Sequence, residues 1–199
     1  GCGPDLEADR ATLLARCLAR DASAEHHRIS PTHDGALRDW PQRLRHWQDR
    51  LCWADLVTIL WLYRALDDVA LQRQLFAQAD RDLVDKTTEH GGVLRREADR
   101  FAAVRHEPLF RDHDLKFVPS PKMIERLYTG FAHYHFHAQR HRNRSFAGPG
   151  DGDLRMAERL GATCIVVTFI DRDRLSVDYY APGRIVVDLD TIRRTPLAH

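Results

Sequence analysis

Phe131–Leu154 reads FAHYHFHAQRHRNRSFAGPGDGDL. Four histidines (His133, His135, His137 and His141) fall within nine positions, and a Gly/Pro loop then leads to Asp151 and Asp153. Side chains alternate along an extended chain, so an H-x-H pair turns both imidazoles to one side. His135 and His137 meet that condition. His133 shares their face, so a His133/His135 pair or a three-histidine set is an alternative. A catalytic zinc takes three protein ligands and keeps a fourth position open. The turn after the histidines could return Asp153 as a carboxylate ligand, with Asp151 as the alternative. Gly-Asp-Gly favours turns, which makes Asp151 a turn residue by default. Hydrolysis also needs a proton shuttle, and Glu89 in Glu89-His90-Gly91-Gly92 offers one.

In this order the residues resemble the JAMM metalloisopeptidases (the MPN-plus domain), as a divergent, bacterial-looking member. That family carries a Glu in a segment close to E-x-G-G-x-L, then H-x-H-P, then S-x-x-D. Here these fall on Glu89–Leu94, His135/His137 and Asp153. The resemblance spans residues 69–192. It implies an α+β fold, a twisted mixed β-sheet flanked by helices. It also implies zinc (Zn2+) on His135, His137 and Asp153, with Glu89 as general acid/base toward the water that zinc activates. The implied activity is cleavage of a peptide or isopeptide bond in a protein or peptide substrate, including a ubiquitin-like conjugate. Two positions depart from the pattern. Ala138 replaces the motif proline, and Gly150 replaces the motif serine, a hydrogen-bond donor to the tetrahedral intermediate. A non-catalytic MPN-like binding module is therefore the alternative.

The remaining chain reads as support. With 199 residues and 43% hydrophobic content there is material for one domain with a real core. The expected division is an N-terminal helical extension (1–68), the metalloprotease-like domain (69–192) and a tail (193–199). A net charge of +1 gives no general attraction to nucleic acid. The apolar run Leu56–Leu62 is too short for a membrane span and is bracketed by Asp55 and Arg64.

Cys2, Cys17, Cys52 and Cys164 form no C-x-x-C pair and read as free thiols in a reducing compartment. A cytoplasmic location is expected. The alternative reads Gly1-Cys2 as the trimmed end of a bacterial lipoprotein signal, with a lipid anchor on Cys2.

Helices are expected at 5–20, along the stripe Leu44–Tyr63, at 69–83, from Ser120-Pro121, and at 154–160 ending at Gly161. Strands are expected at 88–94, 100–106, after Gly130, and as an antiparallel meander over 164–170, 175–180 and 185–189. Gly91-Gly92 marks a bulge or a close backbone approach. The run Gln139–Arg144 reads as a solvated loop, and His141 with it. The four tryptophans (Trp40, Trp47, Trp53, Trp61) read as helix-packing core.

Overall fold

The computed structural model describes residues 3–27, 42–97, 100–110, 117–127 and 129–195. Cys2, Trp40, most of the 21–39 loop, Asp112, Asp114 and the last four residues lie outside them.

The chain is α+β. Its elements run α1 (Gly3–Leu6), α2 (Arg10–Asp21), α3 (Trp53–Asp67), α4 (Val69–Val84), β1 (Gly91–Glu97), β2 (Arg100–His106) and α5 (Pro121–Leu127). They continue with β3 (Ala132–His137), α6 (Asp151–Leu160), β4 (Cys164–Asp171), β5 (Arg174–Ala181) and β6 (Ile185–Arg193). The strands form one six-stranded mixed sheet in the order β2-β1-β3-β4-β5-β6. β3 and β4 pair in parallel through the α6 crossover, and all other pairs are antiparallel.

Two helical expectations and one strand start shift, each for a local reason. The helix expected over 5–20 breaks at Asp9, whose carboxylate caps α2 by accepting from the Thr12 N–H at 2.7 Å. The stripe from Leu44 to Tyr63 is not one helix. Leu44–His46 is a short 3-10 turn, and α3 begins only after Cys52, an extended residue whose N–H donates to Asp55. β1 starts at Gly91 instead of Thr88 because the His90 N–H is taken by the Asp82 carboxylate at 2.5 Å. The last strand runs on to Arg193, past the expected domain end.

The sheet has two unlike faces, set by alternation. Tyr134 and Phe136 of β3, Ile165, Val167 and Phe169 of β4, Val177 and Tyr179 of β5, and Val187 and Leu189 of β6 turn to one side. There they join Leu13, Cys17, Trp47, Leu56, Ile59, Leu71, Leu75 and Phe76 in a single apolar cluster. The residues expected as an N-terminal extension thus share one core with the sheet. Trp47 is buried in it and Trp61 packs at its edge, whereas Trp53 is exposed. The opposite face carries His133, His135, His137, Thr168, Ser176, Asp178 and Asp188, all buried. No helix among the described residues is long and apolar enough to cross a membrane.

Gly91 and Gly92 are a close approach, not a bulge. A Cβ on Gly92 would lie 2.1 Å from the Val104 carbonyl oxygen and 2.6 Å from Tyr134 Oη. The Tyr134 hydroxyl is itself held by Gln78 Oε1 at 2.6 Å. Backbone cannot yield as a flexible side chain can, so Gly92→Ala is expected to destabilise the fold by about 3 kcal/mol or more. Gly152 in α6 meets nothing within 4 Å, so Gly152→Ala should instead stabilise by about 0.5 kcal/mol. Urea unfolding of the two variants checks both signs.

Candidate metal centre

β1 and β3 bring the site together by register. Gly91 is opposite His135, and the Phe136 N–H donates to the His90 carbonyl at 3.0 Å. Continuing the antiparallel pairing by two residues puts Glu89 opposite His137, on the same face. Glu89 Oε1 is 3.8 Å from His137 Nε2. The intervening position, Gly91, bears no side chain, and a Cβ there would press on the Phe117 ring at 2.8 Å. Phe117 uses that space to stack on His135, with ring centroids 6.2 Å apart and planes 12° from parallel. The E-x-G spacing therefore places an acid beside one histidine and an aromatic lid on the other.

The third arm comes from α6. Gly150 is its N-cap and Asp153 lies in its first turn, where the helix dipole favours a carboxylate. The Gly150 N–H donates to Asp153 Oδ2 at 2.8 Å, which aims the carboxyl at the histidines. Asp153 Oδ1 is 3.3 Å from His135 Nε2, and Oδ2 is 3.7 Å from His137 Nε2. The two Nε2 atoms are 3.3 Å apart. Ligands about 2.0–2.1 Å from a tetrahedral zinc are separated by about 3.3 Å, so the donor spacing fits such an ion. Glu89, His135 and His137 also present ligand atoms within 4.8 Å of one another. Asp153 and Glu89 approach His137 Nε2 almost equally, at 3.7 and 3.8 Å, and Asp153 also faces His135 at 3.3 Å.

Backbone and side-chain partners orient both imidazoles. The His137 Nδ1–H donates to the Phe146 carbonyl at 2.8 Å, which leaves Nε2 of the neutral ring with its lone pair facing the cluster. His135 Nδ1 lies 3.4 Å from Tyr180 Oη. Tyr180 also bonds Cys164, whose thiol donates to the Ala162 carbonyl. With Nδ1 protonated, a chain of donors runs from His135 back to the main chain and leaves Nε2 unprotonated toward the cluster. Burial pushes the Tyr180 hydroxyl well up and the Cys164 thiol to about 12, so both stay protonated as this chain requires. Burial raises the Asp153 carboxyl, but the His135 and His137 imidazoles outweigh it and hold the group below the usual carboxylate range.

The other expected residues do not join the cluster. His133 lies on the same face but stacks on His135 with centroids 6.0 Å apart, and neither ring nitrogen has a hydrogen-bond partner. Burial, then the neighbouring His135, pushes its pKa down to about 3, which keeps it neutral. It borders a cleft of about 250 Å³ lined also by Ile124, Phe131, Leu160 and Thr163. Asp151 turns outward to pair with Arg155 and Arg184, so it is not the competing ligand. His141 is half-buried against Phe169 at 5.1 Å, a packed residue and not a solvated one. Ser145 is exposed on its 3-10 turn and does not replace the missing motif hydroxyl.

Sequence reading did not single out Phe117, Phe146 or Cys164 for the site. Tyr179 and Tyr180 read in sequence as packing on the sheet, with a substrate-facing role as the alternative; Tyr180 lies beside His135. The Phe146 carbonyl carries no residue-type signal at all.

The basic run between β3 and α6 is a built loop. Buried Asn143 donates to the His137 carbonyl at 3.0 Å and to Gln139 Oε1 at 2.8 Å. It also accepts from Arg140, whose guanidinium lies over Phe146. Removing that amide leaves buried partners unpaired, so Asn143→Ala is expected to lose about 2 kcal/mol in urea unfolding.

No family model, curated protein or solved structure matches this chain.

Proposed function

We propose that the protein is a zinc-dependent hydrolase of the JAMM type, with an MPN-like fold, that cleaves a peptide or isopeptide amide. The observation that carries this reading is the convergence of His135 Nε2, His137 Nε2 and the Asp153 carboxylate at 3.3–3.7 Å, with Glu89 3.8 Å from His137. His135, His137 and Asp153 would hold the ion. When bound, zinc supplies a Lewis acid and lowers the pKa of a water toward about 7.

The chain's own residues do the rest. Glu89 is buried and faces the ligands from the neighbouring strand position, within reach of a water held between them. It takes the proton from the attacking water and returns it to the leaving amine. Phe117 covers His135 and keeps bulk water from that side.

The second reading, a non-catalytic binding module, has a specific observation in its favour. Gly150 has no hydroxyl, and its N–H is committed to Asp153. As the carbonyl carbon turns tetrahedral, its oxyanion finds no donor at the position where the JAMM pattern has a serine, and loss of such a donor typically costs about 100- to 1,000-fold in rate.

Elemental analysis of protein purified without added metal should give one zinc that both His137→Ala and Asp153→Ala lose. Glu89→Gln should keep that zinc and lose about 100- to 10,000-fold in hydrolysis of ubiquitin-chain and peptide-amide substrates. Hydrolysis by Glu89→Gln at the wild-type rate would sink the mechanism. Absence of hydrolysis in the metal-loaded wild type would favour the binding module. Tyr180→Phe, which unlinks His135 from its partner, should weaken zinc affinity about 10- to 100-fold while the fold stays intact. Competition against a zinc chelator measures that change.

A further inference from the structure

A second buried group of metal-ligating side chains lies on the same sheet face, further along the register. His135 pairs with Val166, Val166 with Asp178, and Asp178 with Asp188. At about 4.8 Å per strand, Asp178 is about 10 Å and Asp188 about 14 Å from His135. That is too far to share an ion with the first centre. His27, on the segment after α2, reaches this face: its Nε2 is 2.8 Å from Asp178 Oδ1 and 3.6 Å from Asp188 Oδ2. All three side chains are at most 1% exposed. Each offers a ligand atom within 4.8 Å of the other two.

The hydrogen bonds within the group leave it incomplete. Asp178 Oδ2 and Asp188 Oδ1 have no hydrogen-bond partner although both are buried. His26 sharpens the point. Its Nε2 lies 3.0 Å from the Asp21 carbonyl, which only accepts, so Nε2 carries the proton. Nδ1 faces Asp188 Oδ1 at 3.6 Å with no hydrogen-bond partner of its own. Independently, the Thr168 and Ser176 hydroxyls on the same face are fully buried and unpartnered, and these residues pair with each other beside Asp178. Buried polar groups are normally satisfied, and the carboxylate oxygens Asp178 Oδ2 and Asp188 Oδ1 are not.

We propose that His27, Asp178 and Asp188, with His26 as fourth donor, bind a second divalent first-row transition-metal ion that clasps the N-terminal segment to β5 and β6. The donor set is nitrogen and oxygen without sulfur, which suits such an ion; magnesium and calcium prefer oxygen alone. The separations of 2.8 and 3.6 Å lie on either side of the roughly 3.3 Å expected between tetrahedral ligands. The role is structural. α2 packs on the apolar face of the sheet, whereas His27 is on the other, so the segment between them rounds the β6 edge. Glu25 and Arg20 bond Asp190 along that path.

The test is calorimetric titration of the metal-stripped full chain with Zn2+ and with Mn2+. The wild type should take up two equivalents, and Asp188→Asn, nearly isosteric, should lose one of them. His27→Gln should lose the same one, and His137→Ala the other. If Asp188→Asn and His27→Gln both bind as many equivalents as the wild type, the proposal is wrong. A wild type that binds one ion, lost in His137→Ala alone, also overturns it while leaving the hydrolase reading intact. One ion lost in Asp188→Asn alone supports it and removes the other reading. Thermal unfolding gives a second readout. Zinc should raise the Tm of the wild type by several degrees more than that of Asp188→Asn. If Asp188→Asn is the more stable protein with and without zinc, the carboxylates share a proton and no ion.

Discussion

Strand β3 divides its side chains by strict alternation, and the rest of the molecule is arranged around that division. Tyr134 and Phe136 go into the helix-backed core, and His133, His135 and His137 go to the opposite face. A shift of one residue in register would exchange the two sets. Parallel pairing with β4 and antiparallel pairing with β1 hold the register from both sides. The glycines of β1 let the strand approach closely: on one face Gly92 admits Tyr134, and on the other Gly91 admits Phe117 over His135.

The imidazole face is expensive to bury, and its cost is met in two ways. Along β3, His137 Nδ1 donates to the Phe146 carbonyl and His135 Nδ1 lies against the Tyr180 hydroxyl, while both Nε2 atoms and the Asp153 carboxylate face one another. Along β5 and β6 the matching is poorer. Asp178 and Asp188 are opposite one another at the edge of the sheet, and burial, then the Asp178 charge, pushes Asp188 up to about 8. The N-terminal segment meets that face with His26 and His27, and the Gln42 carbonyl accepts from the Asp188 N–H, covering an edge that would otherwise be open.

The same segment explains why the N-terminal helices do not behave as an appendage. Leu13 and Cys17 of α2 and the apolar side of α3 pack in one cluster with the sheet. The Tyr179 hydroxyl of β5 donates to Asp55 near the start of α3. The chain before Val69 therefore backs the sheet on one side and reaches over the β6 edge to the other.

Local signals carried much of this. Period-two alternation in A-H-Y-H-F-H, the Ser120-Pro121 helix start, the Gly161 stop and the meander after Cys164 are properties of neighbouring residues, and the corresponding elements stand close to where the sequence puts them. The E-x-G-G and G-D-G-D-L pieces are local in the same way. What the sequence could not contain is register between distant segments. Nothing near Glu89 says that it faces His137, and nothing near Asp151 says that arginines draw it away while the Gly150 N–H turns Asp153 inward. His27, Asp178 and Asp188 are more than 150 positions apart at the extremes and carry no motif. Only the pairing of β5 with β6, and the passage of the N-terminal segment around the sheet edge, brings them together. Local chemistry decides which element a residue joins, whereas long-range pairing decides which side chains meet.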